Sequence, residues 1–162
     1  MKRHSYFDVY DGPGWPPLAE LERYFIAPKG KEWSYKGGND NWGLKADGAD
    51  GTENLEVNKG RIDIRLNMWG HPDHGVLLIY SKYGGGSQQT YSSRGDLSRL
   101  REWVRTLQGD PMPIGLFIPF SKAWKAVKEF IQTDGQLPKS IEWIANSNLP
   151  PNTFPAPHEV EI

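Results

Sequence analysis

Hydrophobic and polar residues alternate in the middle of the chain in a way that predicts an antiparallel sheet. In one stretch Ile62, Ile64, Leu66 and Met68 alternate with charged and polar residues. A period of two buries one face of a strand and leaves the other in water. Residues 76–80 are apolar at every position and predict a central strand. Further strands are predicted at residues 6–10, 32–35, 55–57, 88–91, 114–118 and 141–144.

Helical spacing of apolar residues occurs in three other stretches. A short helix is predicted after Pro17, because proline is tolerated in the first turn of a helix. A second is predicted over residues 96–107, where apolar residues recur at steps of three and four. A third is predicted to begin with Ser121 as its N-cap and to end at Asp134.

Together these elements predict the α+β class. We expect an antiparallel sheet of about five or six strands with two or three helices packed mainly on one face. A chain of 162 residues suits a single domain, which we assign to residues 1–149. Residues 150–162 contain four prolines and are predicted to form an extended C-terminal tail.

Composition narrows the classes of protein further. The chain has no cysteine, which excludes disulfides and thiolate metal sites. No apolar block follows Lys2 and Arg3, so we expect no signal peptide and a cytoplasmic protein. The apolar runs are too short to cross a bilayer, so no membrane partner is expected. The formal net charge of −1 argues against direct binding of nucleic acid, which favours basic proteins.

No pattern in the sequence predicts an enzyme or a cofactor site. The chain has no nucleophile elbow, and the glycine run before Ser87 lacks the ending of a phosphate-binding loop. His71, Asp73 and His74 share one turn and leave open a metal-dependent hydrolase. Three-residue spacing on a proline turn does not make such ligands converge, so we favour a solvated turn and predict no metal.

Seven tryptophans leave a second alternative open. Indole faces stack on sugar rings, so exposed tryptophans would suit a module that binds carbohydrate or another small ligand. Most of the seven lie beside apolar positions and are predicted to be core residues. Trp15, Trp33 and Trp42 lie in loop-like or ambiguous segments and are the candidates for a contact surface.

Charge is distributed unevenly along the chain. Residues 37–56 carry five acids and one base, and residues 94–128 carry seven bases and three acids. Residues 37–54 are predicted to form a long polar loop, and loops of that length are commonly functional. A loop with this negative charge would suit a basic partner, because opposed potentials speed encounter and restrict the choice of partner.

Near the C-terminus an apolar strand is followed by an amphipathic helix, a proline turn and a strand that ends in tryptophan. These features are Gly115-Leu-Phe-Ile-Pro119, the helix from Ser121 with Ala123, Val127 and Phe130, Leu137-Pro138, and Ile141-Glu-Trp143. In this order they resemble the Imm1 family of bacterial immunity proteins. The resemblance implies an α+β domain encoded beside a polymorphic toxin, often one of the deaminase superfamily.

The resemblance also implies a mode of action. Immunity proteins of this kind bind their cognate toxin and occlude its active site, without catalysis and without a cofactor. Their toxin-contacting residues vary, so contacts are predicted here from charge and aromatic character alone. The predicted toxin-binding residues are Asp40, Trp42, Asp47, Asp50 and Glu53.

Overall fold

The computed structural model describes residues 1–7, 10–26, 33 and 41–162. Antiparallel strands form most of its regular structure, and eight of them join in one sheet. The strands are β1 (Lys2–Tyr6), β2 (Gly12–Pro13), β3 (Asn41–Ala49), β4 (Ile62–His71), β5 (Gly75–Gly84), β6 (Ser87–Ser93), β7 (Trp103–Arg105), β8 (Pro111–Pro113), β9 (Phe117–Ile118) and β10 (Trp143–Ala145).

Neighbours in the large sheet follow the order β10-β6-β5-β4-β3-β1-β2. The short strand β9 pairs with the beginning of β5, while β7 and β8 pair only with each other. This order places β5 inside the sheet between β4 and β6, which confirms the central strand predicted for residues 76–80.

Helices contribute less than the sequence predicts. In the described part of the chain they are α1 (Leu18–Leu21), α2 (Arg23–Ile26) and α3 (Phe120–Gln132), and the first two are single turns. The predicted α+β class is therefore wrong, because an eight-stranded sheet dominates and the fold is mainly β. Two misread stretches account for the difference.

The first misread stretch is the predicted polar loop. Residues 41–49 form β3, which lies inside the sheet between β1 and β4. Trp42, Leu44 and Ala46 alternate toward the core and are at most 6% exposed. Asn41, Gly43 and Asp47, which lie beside these positions, are turn-forming residue types and hid the period of two. Residues 37–40 lie outside the described residues.

The second misread stretch is the predicted helix over residues 96–107. Asp96 accepts a hydrogen bond from the backbone N–H of Ser98 (3.1 Å) and caps a single 3₁₀ turn. The chain then extends into β7. Of the apolar residues with helical spacing, Leu100 is buried and Leu97 and Val104 pack partly buried on the smaller apolar cluster, whereas Leu107 is 56% exposed.

One face of the sheet carries the main core. α3 packs on this face. Ile64, Leu66 and Met68 of β4 are fully buried there, which confirms the alternation predicted for that strand. α3 begins with Pro119 as its N-cap residue rather than Ser121. Trp33 also lies on this face, and a Cβ added to Gly70 would fall 2.1 Å from its indole ring. Glycine is therefore required at that position of β4.

The opposite face of the sheet is covered only in part. Leu77 packs there with Leu100, Leu116 and Phe117 in a smaller apolar cluster. Toward the other end of the sheet, polar side chains of β3, β4 and β5 occupy the same face. They include Lys45, Arg65 and Tyr83, which retain solvent exposure.

The proline-rich tail is held against β7. Trp103 Nε1 donates to the carbonyl of Thr153 (3.0 Å), and the Arg105 guanidinium donates to the carbonyls of Pro157 (2.9 Å) and Val160 (2.6 Å).

None of the helices in the described ranges is long and apolar enough to span a bilayer.

Candidate functional site

The five residues predicted to contact a partner lie in different environments. Asp40 lies outside the described residues. Trp42 is only 6% exposed and belongs to the aromatic part of the core. Asp47 is half-buried, whereas Asp50 and Glu53 are exposed. As contacts these residues stay predictions, and the structure brings the last three together at one end of the sheet.

Asp47 lies on the partly uncovered face of the sheet, near the end of β3. Its carboxylate is 3.5 Å from the Lys45 ammonium and 4.0 Å from the Arg61 guanidinium. Its charge is therefore balanced locally, and it contributes less to the field outside the protein than the sequence suggests.

Asp63 anchors the place where the chain leaves β3. This residue is only 4% exposed, and its Oδ1 accepts hydrogen bonds from the backbone N–H of Gly48 (3.2 Å) and from Arg61 Nε (3.0 Å). Gly48 sits at a β-bulge with φ +77°, and a Cβ there would lie 2.5 Å from Glu53 Cα. The buried carboxylate and the bulge together fix the direction of the following loop.

The connection between β3 and β4, residues 50–61, is named the acidic loop. Its base is held by Thr52, whose hydroxyl donates to the carbonyl of Ala49 (2.6 Å) and accepts from the backbone N–H of Ile62 (2.9 Å). The Lys82 ammonium lies 2.6 Å from the Asp50 carboxylate, and this hydrogen bond holds the Asp50 pKa below its usual value. The loop is thus tied to both adjoining strands and to β5.

The outer part of the acidic loop exposes apolar and acidic side chains together. Leu55 is 46% exposed and Val57 is 57% exposed, and Glu53 and Glu56 beside them are also exposed. Glu56 pairs with Lys59 at 3.1 Å, but both side chains are about three-quarters exposed, and such a pair contributes little. Exposed apolar and acidic side chains side by side make this part of the loop a candidate for contact with another protein.

Sequence reasoning missed Leu55 and Val57. A strand is predicted at residues 55–57, but these residues form no strand, and β4 pairs with β3 instead. The available signal was their isolation, since two apolar residues between Glu53 and Asn58 have no continuing period on either side.

A cleft of about 420 Å³ lies between the acidic loop and the turn that joins β5 to β6. Val57 and Asn58 form one wall, the glycines of the turn form the other, and Arg61, Asp63 and Tyr83 also line it. The Arg65 guanidinium lies 5.7 Å from the centre of the Tyr83 ring on the same sheet face. This end of the sheet therefore offers a concave surface beside an exposed acidic one.

The arrangement of His71, Asp73 and His74 does not support the metal-site alternative. His71 and His74 have ring centroids 4.8 Å apart, and burial, with His71 and Arg99 nearby, lowers the His74 pKa. The backbone N–H of Asp73 donates to His71 Nδ1 (3.1 Å). Across the described ranges, His, Asp and Glu side chains form no group of three that could hold a metal ion.

The three tryptophans that suggested a site for carbohydrate or another small ligand are buried or partly buried. Trp33 is fully buried, and Trp42 nearly so. Trp15 is partly buried, because its Nε1 donates to the carbonyl of Lys45 (2.9 Å) and its ring packs on Phe130. These three residues present no open row of indole faces.

Comparison with known proteins assigns the family. The family described as "Immunity protein Imm1" matches residues 6–145 of the 162-residue chain, from β1 to β10. Neither a curated protein nor a solved structure matches this chain. The family match extends far beyond the C-terminal stretch that carries the resemblance in sequence. The chain therefore belongs to the Imm1 family of immunity proteins.

Proposed function

We propose that this protein neutralises a cognate bacterial toxin by binding it and covering its active site. The observation that carries the proposal is the family match over residues 6–145. Immunity proteins act on toxins, and the surface described above suits a protein partner better than a substrate. The protein catalyses no reaction in this account.

The acidic loop is the proposed docking surface. Glu53 and Glu56 supply negative charge at its exposed edge, and Leu55 and Val57 supply apolar area that binding would bury. Charge of one sign steers encounter, and apolar burial slows dissociation. Asp50 belongs to the same surface, although its carboxylate is already engaged by Lys82.

The proposed toxin acts on nucleic acid, such as a member of the deaminase superfamily, and is met in the cytoplasm. An active site that holds a phosphate backbone is lined with basic groups. Carboxylates at the edge of an immunity protein would be attracted to those groups and would compete with the phosphates. This complementarity supports a loop that lies over the active site of the toxin.

Charge reversal tests the loop. The probe is the C-terminal domain of the polypeptide encoded beside this chain, with its catalytic residue inactivated. We expect Glu53→Lys combined with Glu56→Lys to slow association about tenfold or more at low salt, with the difference shrinking at high salt. Surface plasmon resonance at two ionic strengths measures this rate.

A matched control changes the same charge elsewhere. Glu20 and Glu22 are exposed near α1, and replacing both by lysine should slow association much less. Leu55→Ala with Val57→Ala should instead speed dissociation, since it removes apolar area that the proposed complex would bury. If the loop variant associates at the wild-type rate and still protects cells, the docking surface is wrong. If the wild-type chain does not bind the probe, the proposed function is wrong.

A further inference from the structure

The outer edge of β6 is only half paired. β10 pairs with Tyr91, Ser92 and Ser93, and the register stops there. Beyond Ala145 the chain turns into the 3₁₀ segment Asn146–Asn148, which the Ser92 hydroxyl holds by donating to Asn146 Oδ1 (2.6 Å). In the described part of the chain, no strand pairs with residues 87–90 on this edge.

Alternation along the strand decides which backbone groups face outward. The N–H of Arg94 donates to the carbonyl of Glu142 (3.0 Å), on the β10 side. Backbone groups two residues apart in a strand point the same way, so those of Thr90 and Gln88 also point to this edge. Gln89 and Tyr91 direct theirs toward β5, their partner strand. The Tyr91–Ala145 pair sets the N–H of Asn146 against the Thr90 carbonyl, so two outward N–H groups and the outward carbonyl of Gln88 are available for pairing.

Nothing in residues 87–90 protects this edge. Natural sheets commonly block free edges with lysine, proline or a bulge. This segment reads Ser-Gln-Gln-Thr, and its register with β5 is unbroken. Four residues extend about 13 Å, which is long enough for a short strand addition and short for a stable pairing between two copies.

Clefts lie along the free edge of β6 and beside the acidic loop. One cleft of about 380 Å³ is lined by residues 88–91 and 145–147, at the place where β10 ends. A second, of about 240 Å³, is lined by Gln89, Ser87 and Tyr83. Gln89 is common to these two clefts, and Tyr83 is common to the second and to the cleft beside the acidic loop. The clefts therefore meet at one end of the sheet, where Tyr83 lies on the face of the acidic-loop cleft and Lys82 and Gln89 lie on the face that α3 covers.

We propose that an extended segment of the toxin adds to the sheet at Gln88 and Thr90, in line with β10. This inference rests on the proposed function and specifies how the partner binds. Backbone hydrogen bonds along the edge position the toxin, while the acidic loop contacts a basic region of the same partner. Strand addition of this kind depends little on side chains, so it tolerates sequence change on the toxin side.

Amide hydrogen exchange of the wild-type chain tests the proposal, with the inactivated toxin domain described above as the probe. In the free protein the amides of Gln88 and Thr90 should exchange quickly, and those of Gln89 and Tyr91 slowly. In the complex the first pair should become protected at least tenfold, while the second pair changes little. This alternation would not arise from burial by a side-chain contact.

A proline substitution gives a second readout. Thr90→Pro removes an outward N–H that the fold itself does not use, and proline is tolerated at such edge positions. Thr90→Val keeps the N–H and matches the shape. We expect the proline variant to bind the toxin domain at least tenfold more weakly than the valine variant.

The outcomes separate the two proposals. If the toxin domain binds but leaves Gln88 and Thr90 unprotected, strand addition is wrong and the proposed function stands. If the wild-type chain binds no toxin domain, both are wrong. If protection at these amides appears when the chain alone is concentrated, the occupant is a second copy, which overturns the toxin as the occupant.

Discussion

At the scale of single residues, Asp63 connects the sheet to the candidate site. Its buried carboxylate accepts hydrogen bonds from the backbone N–H of Gly48 and from Nε and Nη2 of the Arg61 guanidinium. A buried charge is tolerated when it is paired and hydrogen-bonded, and removing its partner leaves a large penalty. Asp63 therefore stabilises both the bulge in β3 and the first residue before β4.

Asp63→Asn is expected to lower the free energy of unfolding by about 2 kcal/mol, because it leaves the Arg61 guanidinium without its carboxylate. Glu56→Gln makes the same chemical change in an exposed pair with Lys59 and should cost less than about 0.5 kcal/mol. Urea unfolding of both variants measures the difference. Equal stability of the two variants would show that Asp63 does not anchor the loop.

Residue-level sequence reasoning succeeded where burial follows a simple period. Ile64, Leu66 and Met68 are buried as predicted, because alternation along β4 reflects the two faces of the sheet directly. Burial of Trp42 was not predicted, because a tryptophan between glycine and asparagine looks like a loop residue. The pairing of β3 with β1 and β4 decides its environment, and that pairing involves residues distant in the sequence.

At the scale of elements, Tyr80 links β5 to the end of α3. Its hydroxyl donates to the carbonyl of Gly135 (2.8 Å), and the side chain is only 2% exposed. Burial, with smaller contributions from Asp50 and Tyr91, raises the pKa of Tyr80 to about 12. A folded-state pKa above the unfolded value stabilises the protein at lower pH, and this stabilisation is lost as the pH rises toward 12.

Tyr80→Phe should therefore behave differently at two pH values. At pH 8 the variant loses one buried hydrogen bond and should be about 1 kcal/mol less stable than the wild type. By pH 11 the free energy of unfolding of the wild type has fallen by about 1.4 kcal/mol, because Tyr80 ionises more readily in the unfolded chain than in the folded one. The stability difference between the variant and the wild type should therefore close. Urea unfolding at both values measures it. Tyr6→Phe, at a half-exposed ring, serves as the control. A stability difference between Tyr80→Phe and the wild type that stays the same at both pH values would contradict the raised pKa of Tyr80.

Prediction of elements failed where local and tertiary preferences disagree. Residues 96–107 have the apolar spacing of a helix, yet they form a 3₁₀ turn and β7. The partner strand β8 supplies hydrogen bonds that a local pattern cannot reveal. By contrast α3 was predicted within a few residues, because its amphipathic stripe and the Asp134-Gly135 stop act locally.

At the scale of the whole molecule, the two proposed contact regions lie at the end and at one edge of the same sheet. α3 covers one face of the sheet, and the smaller apolar cluster covers part of the other. The acidic loop and the free half of β6 lie at the ends of strands that are paired through the central part of the sheet. A surface on paired strands is preorganised, so less ordering entropy is lost on binding.

The family could be recognised from the C-terminal motif, but the proposed binding surface could be predicted only in part from the sequence. Glu53 and Asp50 were proposed from charge alone, and the structure places them at the acidic loop. The half-paired edge of β6 was invisible in sequence, because it depends on where β10 stops.

The most direct test of the central claim is a titration of active toxin with this protein. The active C-terminal domain of the polypeptide encoded beside the chain is held at a fixed concentration well above the dissociation constant, and its residual activity is measured. A protein that binds and covers an active site should reduce activity linearly to zero at one equivalent. Complete loss of activity at a small fraction of an equivalent would show turnover, and full activity in excess protein would show no neutralisation; either result would contradict the account.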